Sequence, residues 1–125
     1  MQPLKEYFNE VKGIGVLSTA NEKGSVDSAI YATPHVFDDK TVGFIMRDRL
    51  SHHNVTKNPK ACYLFVENAP GYVGRRLYLT KIDEEKNSEQ LFELRRRNSP
   101  PDENLFLVTF RIDEVLPLLC KDDLC

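Results

Sequence analysis

The chain has 125 residues, with 41% hydrophobic and 29% charged residues, which fits one domain spanning 1–125 with its own core and excludes the disordered class. A formal net charge of -2 gives no electrostatic footing for nucleic-acid binding. No apolar run is long enough to span a bilayer, and "MQPLKEYF" at the start has no apolar signal region, so a cytoplasmic protein without membrane attachment is expected.

In chain order, residues 3–12 read as a helix. Leu4, Tyr7, Phe8 and Val11 follow the i, i+3, i+4, i+7 rule, and Pro3 suits a first helical turn. "IGVLSTA" is a strand, and "NEKG" is a hairpin turn in which Gly24 can take positive φ. "SVDSAIYATP" is a second strand. It sets Val26, Ser28, Ile30 and Ala32 on one side and Asp27, Ala29, Tyr31 and Thr33 on the other. "FDDK" turns the chain into a third strand, "TVGFIM". "KACYLFVE" is almost wholly apolar and reads as a strand buried on both faces, with Cys62 as a core thiol. "NAPGYVG" is a loop before a fifth strand, "RRLYLTKI". "DEEKNSEQLFELRRRN" is a helix with acids early and arginines late, and Asn87 and Gln90 are placed to cap it. "SPPDEN" is a loop, "LFLVTFRI" a sixth strand and "DEVLPLLCKDDLC" a short tail.

Tight turns between the early strands make them antiparallel neighbours. Six short alternating strands predict a small barrel within an α+β fold, flanked by three to four short helices. A ferredoxin-like sandwich competes, but three strands before any inserted helix fit its order poorly. The cysteines Cys62, Cys120 and Cys125 match no zinc spacing, and no local feature marks a reactive thiol.

"RDRLSHHNVTKNP", residues 47–59, concentrates cationic and polar groups. With Ser51 as N-cap, a short helix runs to about Asn58, where Pro59 stops it. His52, His53 and Asn54 form its first turn, and the free N–H groups face Arg47 and Arg49. A helix start beside two arginines is a phosphate site; a solvated loop before a capped helix is the plainer explanation. Adjacent histidines on a helix point about 100° apart, so "HH" is a poor metal pair.

The run from "GVLSTA" through "AIYATP", "RDRLSHHNV" and "NP" to "KACYLFVE" resembles the pyridoxamine 5′-phosphate oxidase-like, FMN-binding split β-barrel family over about residues 13–82. The resemblance implies a six-stranded antiparallel split barrel, a homodimer with FMN at the subunit interface, and an oxidoreductase acting on a small substrate. It also implies ring contacts at Ile30, Tyr31, Ala32 and Thr33, and phosphate contacts at Arg47, Arg49, Ser51, His52 and His53. Polar groups near the ring would be Arg75 and Arg76, on a strand often supplied by the other subunit. His53 stands where the family often has lysine. The chain stops soon after the sixth strand and has no tryptophan, which points to short FMN-binding proteins rather than vitamin B6 oxidation. A non-catalytic flavin electron carrier or sensor shares the same site. A barrel that has exchanged FMN for haem or another anionic ligand, held through His52 or His53, is a further alternative. His35, just beyond the ring-binding strand, is a candidate proton donor near the substrate, with a loop histidine without a role as the plainer reading. The "LRRR" run at residues 94–97 is a candidate site for an anionic partner such as a nicotinamide dinucleotide, with a helix end complementing its dipole as the preferred reading.

Overall fold

Helix α1 (Leu4–Glu10) leads into strands β1 (Gly13–Ala20), β2 (Val26–Ile30), β3 (His35–Val36) and β4 (Thr41–Arg47). Helix α2 (Leu50–Lys57), strands β5 (Lys60–Glu67) and β6 (Gly74–Lys86), helix α3 (Glu89–Leu94) and strand β7 (Leu105–Pro117) follow. These elements come from a computed structural model that describes residues 2–95 and 104–119. Arg96, Arg97, Cys120, Cys125 and most of the "SPPDEN" loop lie outside the described residues.

The strands form one antiparallel sheet in the order β2-β1-β5-β6-β7-β4-β3. β2 and β3 remain as its two ends, so the barrel is split, as expected for this α+β class. The strand beyond the six expected is the two-residue His35–Val36, which pairs with Val42 and Gly43 on β4.

Local chemistry explains the early elements. Asn21 Oδ1 accepts from the N–H groups of Lys23 and Ser25, and Gly24 takes φ +86°, which closes the β1–β2 hairpin. On α1, Tyr7 and Phe8 are buried, with Leu4 and Val11 packed beside them. Pro3 is the N-cap rather than a residue of the first turn.

The later half differs from the sequence expectation. β6 runs through "DEEK" to Lys86, and β7 runs on to Pro117 through the expected tail. The two strands pair from Arg75↔Pro117 to Lys86↔Phe106, with irregularities at Tyr78/Leu79 and Lys81/Asp83. Pairing with apolar β7 outweighs the helical preference of the acidic run, because β-propensity reports neighbours more than intrinsic backbone choice. α3 is therefore short. Its N-cap is Ser88, whose Oγ accepts from Leu91 N–H. Asn87 adopts φ +46° instead, and its Oδ1 accepts from Leu105 N–H where β7 begins.

Inside the barrel, rings meet edge to face. Phe65 lies 5.7 Å from Tyr7 and 5.3 Å from Phe8, and Phe44 lies 5.9 Å from Phe110, between centroids. β5 buries Tyr63 and Phe65 fully, but its other face, with Cys62, Leu64 and Val66, is only half-buried. Cys62 is thus not a core thiol; it sits on the outer face, where partial burial pushes its thiol up and the charge of Arg76 offsets part of that rise.

α2 crosses the open end of the sheet. Val55 is buried, and buried Asn54 donates from Nδ2 to buried Thr19 Oγ1 on β1 at 3.0 Å. Asn58 is the C-cap, and its Oδ1 accepts from Lys60 N–H. The spacing Asn54, Val55, Asn58, Pro59 is therefore a latch, a plug, a cap and a stop. Replacing Asn54 with Ala strands the Thr19 hydroxyl in the interior, and we expect a loss of about 1–3 kcal/mol in urea unfolding with an unchanged m-value.

Candidate functional site

The split between β2 and β4 opens a cleft of about 500 Å³. One wall is the end of β2 and the chain beyond it, Ile30, Tyr31, Ala32 and Thr33. The other is formed by the outward side of β4 and the start of α2, with Arg47, Arg49 and Ser51.

The first wall is shaped by β1 and β5. Tyr31 N–H donates to Gly15 O at 3.0 Å, and Tyr63 Oη donates to Tyr31 O at 3.1 Å. A side chain at position 15 would collide with the Tyr63 hydroxyl and the Tyr31 carbonyl, so glycine is required by that approach. The Tyr31 ring stands edge-on to Phe44 at 5.8 Å, and its hydroxyl lies near the Ser51 side chain. Burial pushes the Tyr31 phenol up; the Ser51 side chain offsets part of this and the charge of Asp27 adds to it. Tyr31 is thus a protonated phenol at neutral pH.

The second wall differs in detail from the expected capped helix. Arg49 is the N-cap of α2, in extended conformation and without a side-chain cap bond, and Ser51 is the second helical residue. The reason is a tight turn, with Arg49 N–H donating to Arg47 O at 2.8 Å and His53 N–H to Arg49 O at 2.9 Å. Ser51 lines the cleft near Tyr31. The N–H groups of residues 50–52 have no intrahelical acceptor, as in any first turn. They, Arg47 and Arg49 are carried by one short segment beside the cleft.

Four expected contacts lie elsewhere. His52 is buried, stacked on Phe106 at 3.8 Å, with Nε2 2.8 Å from Glu84 Oε1. This geometry takes it out of the cleft lining. His53 is exposed, with Nε2 2.8 Å from Asp48 Oδ1; successive helical residues diverge by about 100°, so neither ring follows Ser51. Arg75 is buried beneath α1, its guanidinium 3.7 Å over the Tyr7 ring and donating to Gln2 O. Arg76 donates from Nε to Pro117 O on the outer sheet face. Neither arginine lines the cleft of its own chain.

His35 lines the cleft from β3, and Arg95 lines it just after α3, so each falls where its less favoured functional reading would need it. The signals were weak: a two-residue strand, and Gly43, whose bare backbone admits the Phe37 ring.

Comparisons with solved structures follow this geometry. An FMN-binding protein from Syntrophomonas wolfei subsp. wolfei superposes with TM-score 0.75 at 18% identity, over 96% of this chain and 86% of that one. A pyridoxamine 5′-phosphate oxidase-like protein from Lactobacillus delbrueckii gives 0.70 at 15% identity, over 93% and 92%. The haem storage protein HutZ from Vibrio cholerae gives 0.61 at 16% identity, over 93% and 94%. No protein-family model matches the chain, and no curated protein matches its sequence. The chain shares the split-barrel fold of these pyridoxamine 5′-phosphate oxidase-like proteins.

Behind α2, burial pushes the Glu84 carboxyl up, but hydrogen bonds from Lys81 and His52 outweigh it and hold Glu84 below the ordinary carboxylate value. A depressed folded value stabilises the protein above the unfolded value and loses that contribution as pH falls through the folded one. Thermal melts from pH 5 down to pH 2 are therefore expected to show a smaller Tm decline for Glu84→Gln than for the wild type.

Proposed function

We propose that the chain binds FMN in this cleft and works as a flavin-dependent oxidoreductase on a small substrate. The observation that carries the reading is that Arg47, Arg49 and the start of α2 share one cleft with the Ile30–Tyr31–Ala32–Thr33 wall. The donor set suits a phosphate: two guanidinium groups and the first-turn N–H groups of a helix. The wall opposite offers backbone groups and a protonated tyrosine to a planar polar ring. A cleft of about 500 Å³ lies in the range of cofactor pockets.

When bound, FMN supplies the redox chemistry. The chain's own residues position it. Arg47 and Arg49 would hold the phosphate, Tyr31 would offer its phenol to the ring, and His35 lines the same space from β3. No protein nucleophile is needed. Tyr31, held neutral, donates or accepts a hydrogen bond without changing charge.

A homodimer completes the proposal. In the single chain, the sheet's outer face aligns Ile30, Val16, Leu64 and Arg76 in one cross-strand row. Ile30 is 74% exposed and Ile14, on the same face, is 61% exposed. Covering that row with a second copy would remove exposed apolar area beside the cleft and bring the partner's surface to it. The arginine best placed to be shared is Arg76, because Arg75 is engaged beneath Tyr7.

Purified protein mixed with FMN is expected to show a perturbed flavin absorbance spectrum and a raised Tm. No spectral change and no stabilisation would overturn the proposal. Arg49→Ala should weaken FMN at least about tenfold, since a charged contact to phosphate is worth about 1.5–3 kcal/mol. His35→Ala should weaken it less, and equal losses for the two would displace the phosphate from this end of the cleft.

A further inference from the structure

Asp27 lines the cleft but belongs neither to the arginine grip nor to the Ile30–Thr33 wall. It is the one carboxylate in a described lining that also holds Arg47, Arg49 and Arg95. Its position follows from strand register. Asp27 on β2 lies directly opposite Thr19 on β1, so the two side chains share a face. Thr19 is buried there and accepts from Asn54 of α2. Asp27 is therefore held at the α2 end of the cleft, the end that carries Arg47, Arg49 and Ser51. Ala29 and Tyr31 follow two residues apart along the same side of the chain, leading to Thr33. The charge of Asp27 is felt at the Tyr31 phenol, which lines the same space. No described residue hydrogen-bonds to the Asp27 carboxylate or pairs with it.

A carboxylate in this place works against a simple anion, because it repels the phosphate that the arginines attract. It accepts hydrogen bonds and donates none, so phosphate oxygens and ring carbonyls offer it nothing. What satisfies it is a donor on the ligand. Acidic side chains take sugar hydroxyls in this way in dinucleotide sites. A lining with cations on one wall and an unpaired carboxylate on the other thus matches a ligand that carries an anion and hydroxyl donors close together. In a phosphorylated polyol these groups are a few bonds apart.

We propose that Asp27 is a specificity-determining residue that accepts hydrogen bonds from the hydroxyls of a phosphorylated polyol chain while Arg47 and Arg49 hold its phosphate. This rests on the flavin reading, in which the ribityl chain of FMN is that polyol. The ribityl chain joins phosphate to ring, and Asp27 stands on the strand that leads from the α2 end of the cleft to the ring wall. Charge on the acceptor makes such bonds stronger than neutral ones. The same charge penalises ligands that present anionic groups without donors.

The test is a cycle between the residue and the ligand's hydroxyls. FMN is compared with an analogue that keeps the ring and the phosphate but joins them by a plain alkyl chain. Dissociation constants are measured by calorimetry for wild type, Asp27→Ala, Asp27→Asn and Ser28→Ala. Wild type is expected to prefer FMN over the analogue by at least about tenfold, and Asp27→Ala by about twofold or less. Asp27→Asn should fall between, because a neutral amide oxygen accepts a weaker bond. Ser28 lies on the other face of β2, against Ser18, so Ser28→Ala should keep the wild-type preference. Inorganic phosphate, which has no chain, should bind Asp27→Ala at least as tightly as wild type. An unchanged preference in Asp27→Ala would overturn the role of Asp27, as would phosphate affinity lost in step with FMN affinity. If Asp27→Ala folds poorly, an unchanged preference in Asp27→Asn overturns it equally. Wild type that binds neither flavin would overturn the flavin reading and this proposal together. Wild type that binds both flavins equally would overturn this proposal alone.

Discussion

Two polar contacts, together with buried Val55, seat α2 against the split sheet beside the cleft. Asn54 reaches Thr19 on β1, and His52 reaches Glu84 on β6. These strands lie on opposite sides of β5 in the sheet order. The helix is eight residues long and too short to persist alone in water. Its position is therefore a tertiary property. Once it is placed, Arg47, Arg49 and the first-turn N–H groups fall beside the segment that leaves β2. Tyr31 on one wall lies near Ser51 on the other.

The same logic separates residues that touch the cleft from residues that carry it. His52 and Arg75 were both expected at the cofactor and are both buried beneath helices instead. Each ties a helix to the sheet: Arg75 stacks under Tyr7 of α1, and His52 stacks on Phe106 behind α2. A buried cation or imidazole at such a place exchanges ligand access for rigidity. Ser51 does the reverse and lines the cleft.

Much of the fold was legible because its signals were local. The Asn21–Gly24 turn, the alternation of β2, the apolar face of α1 and the stop at Pro59 can all be read from a few adjacent residues. The Ile30–Thr33 and Arg47–Arg49–Ser51 groups were legible through their order along the chain. What was not legible depended on long-range pairing. The acidic run after Ile82 joins a strand because β7 lies beside it, and no local pattern announces that. "KACYLFVE" reads as buried on both faces, whereas one chain buries only the Tyr63 and Phe65 side. The remaining apolar side is the physical ground for the proposed second copy. His35 and Arg95 rank low in the sequence because each is ordinary in its own segment and meets the cleft only through the fold.

The account stands on a phosphate being gripped at the start of α2, with the ring against the β2 segment. Calorimetric titration of the purified protein with FMN and with riboflavin, which lacks the phosphate, isolates that grip. Two guanidinium contacts predict that FMN binds at least about tenfold more tightly than riboflavin. Equal affinities for the two flavins would contradict the account.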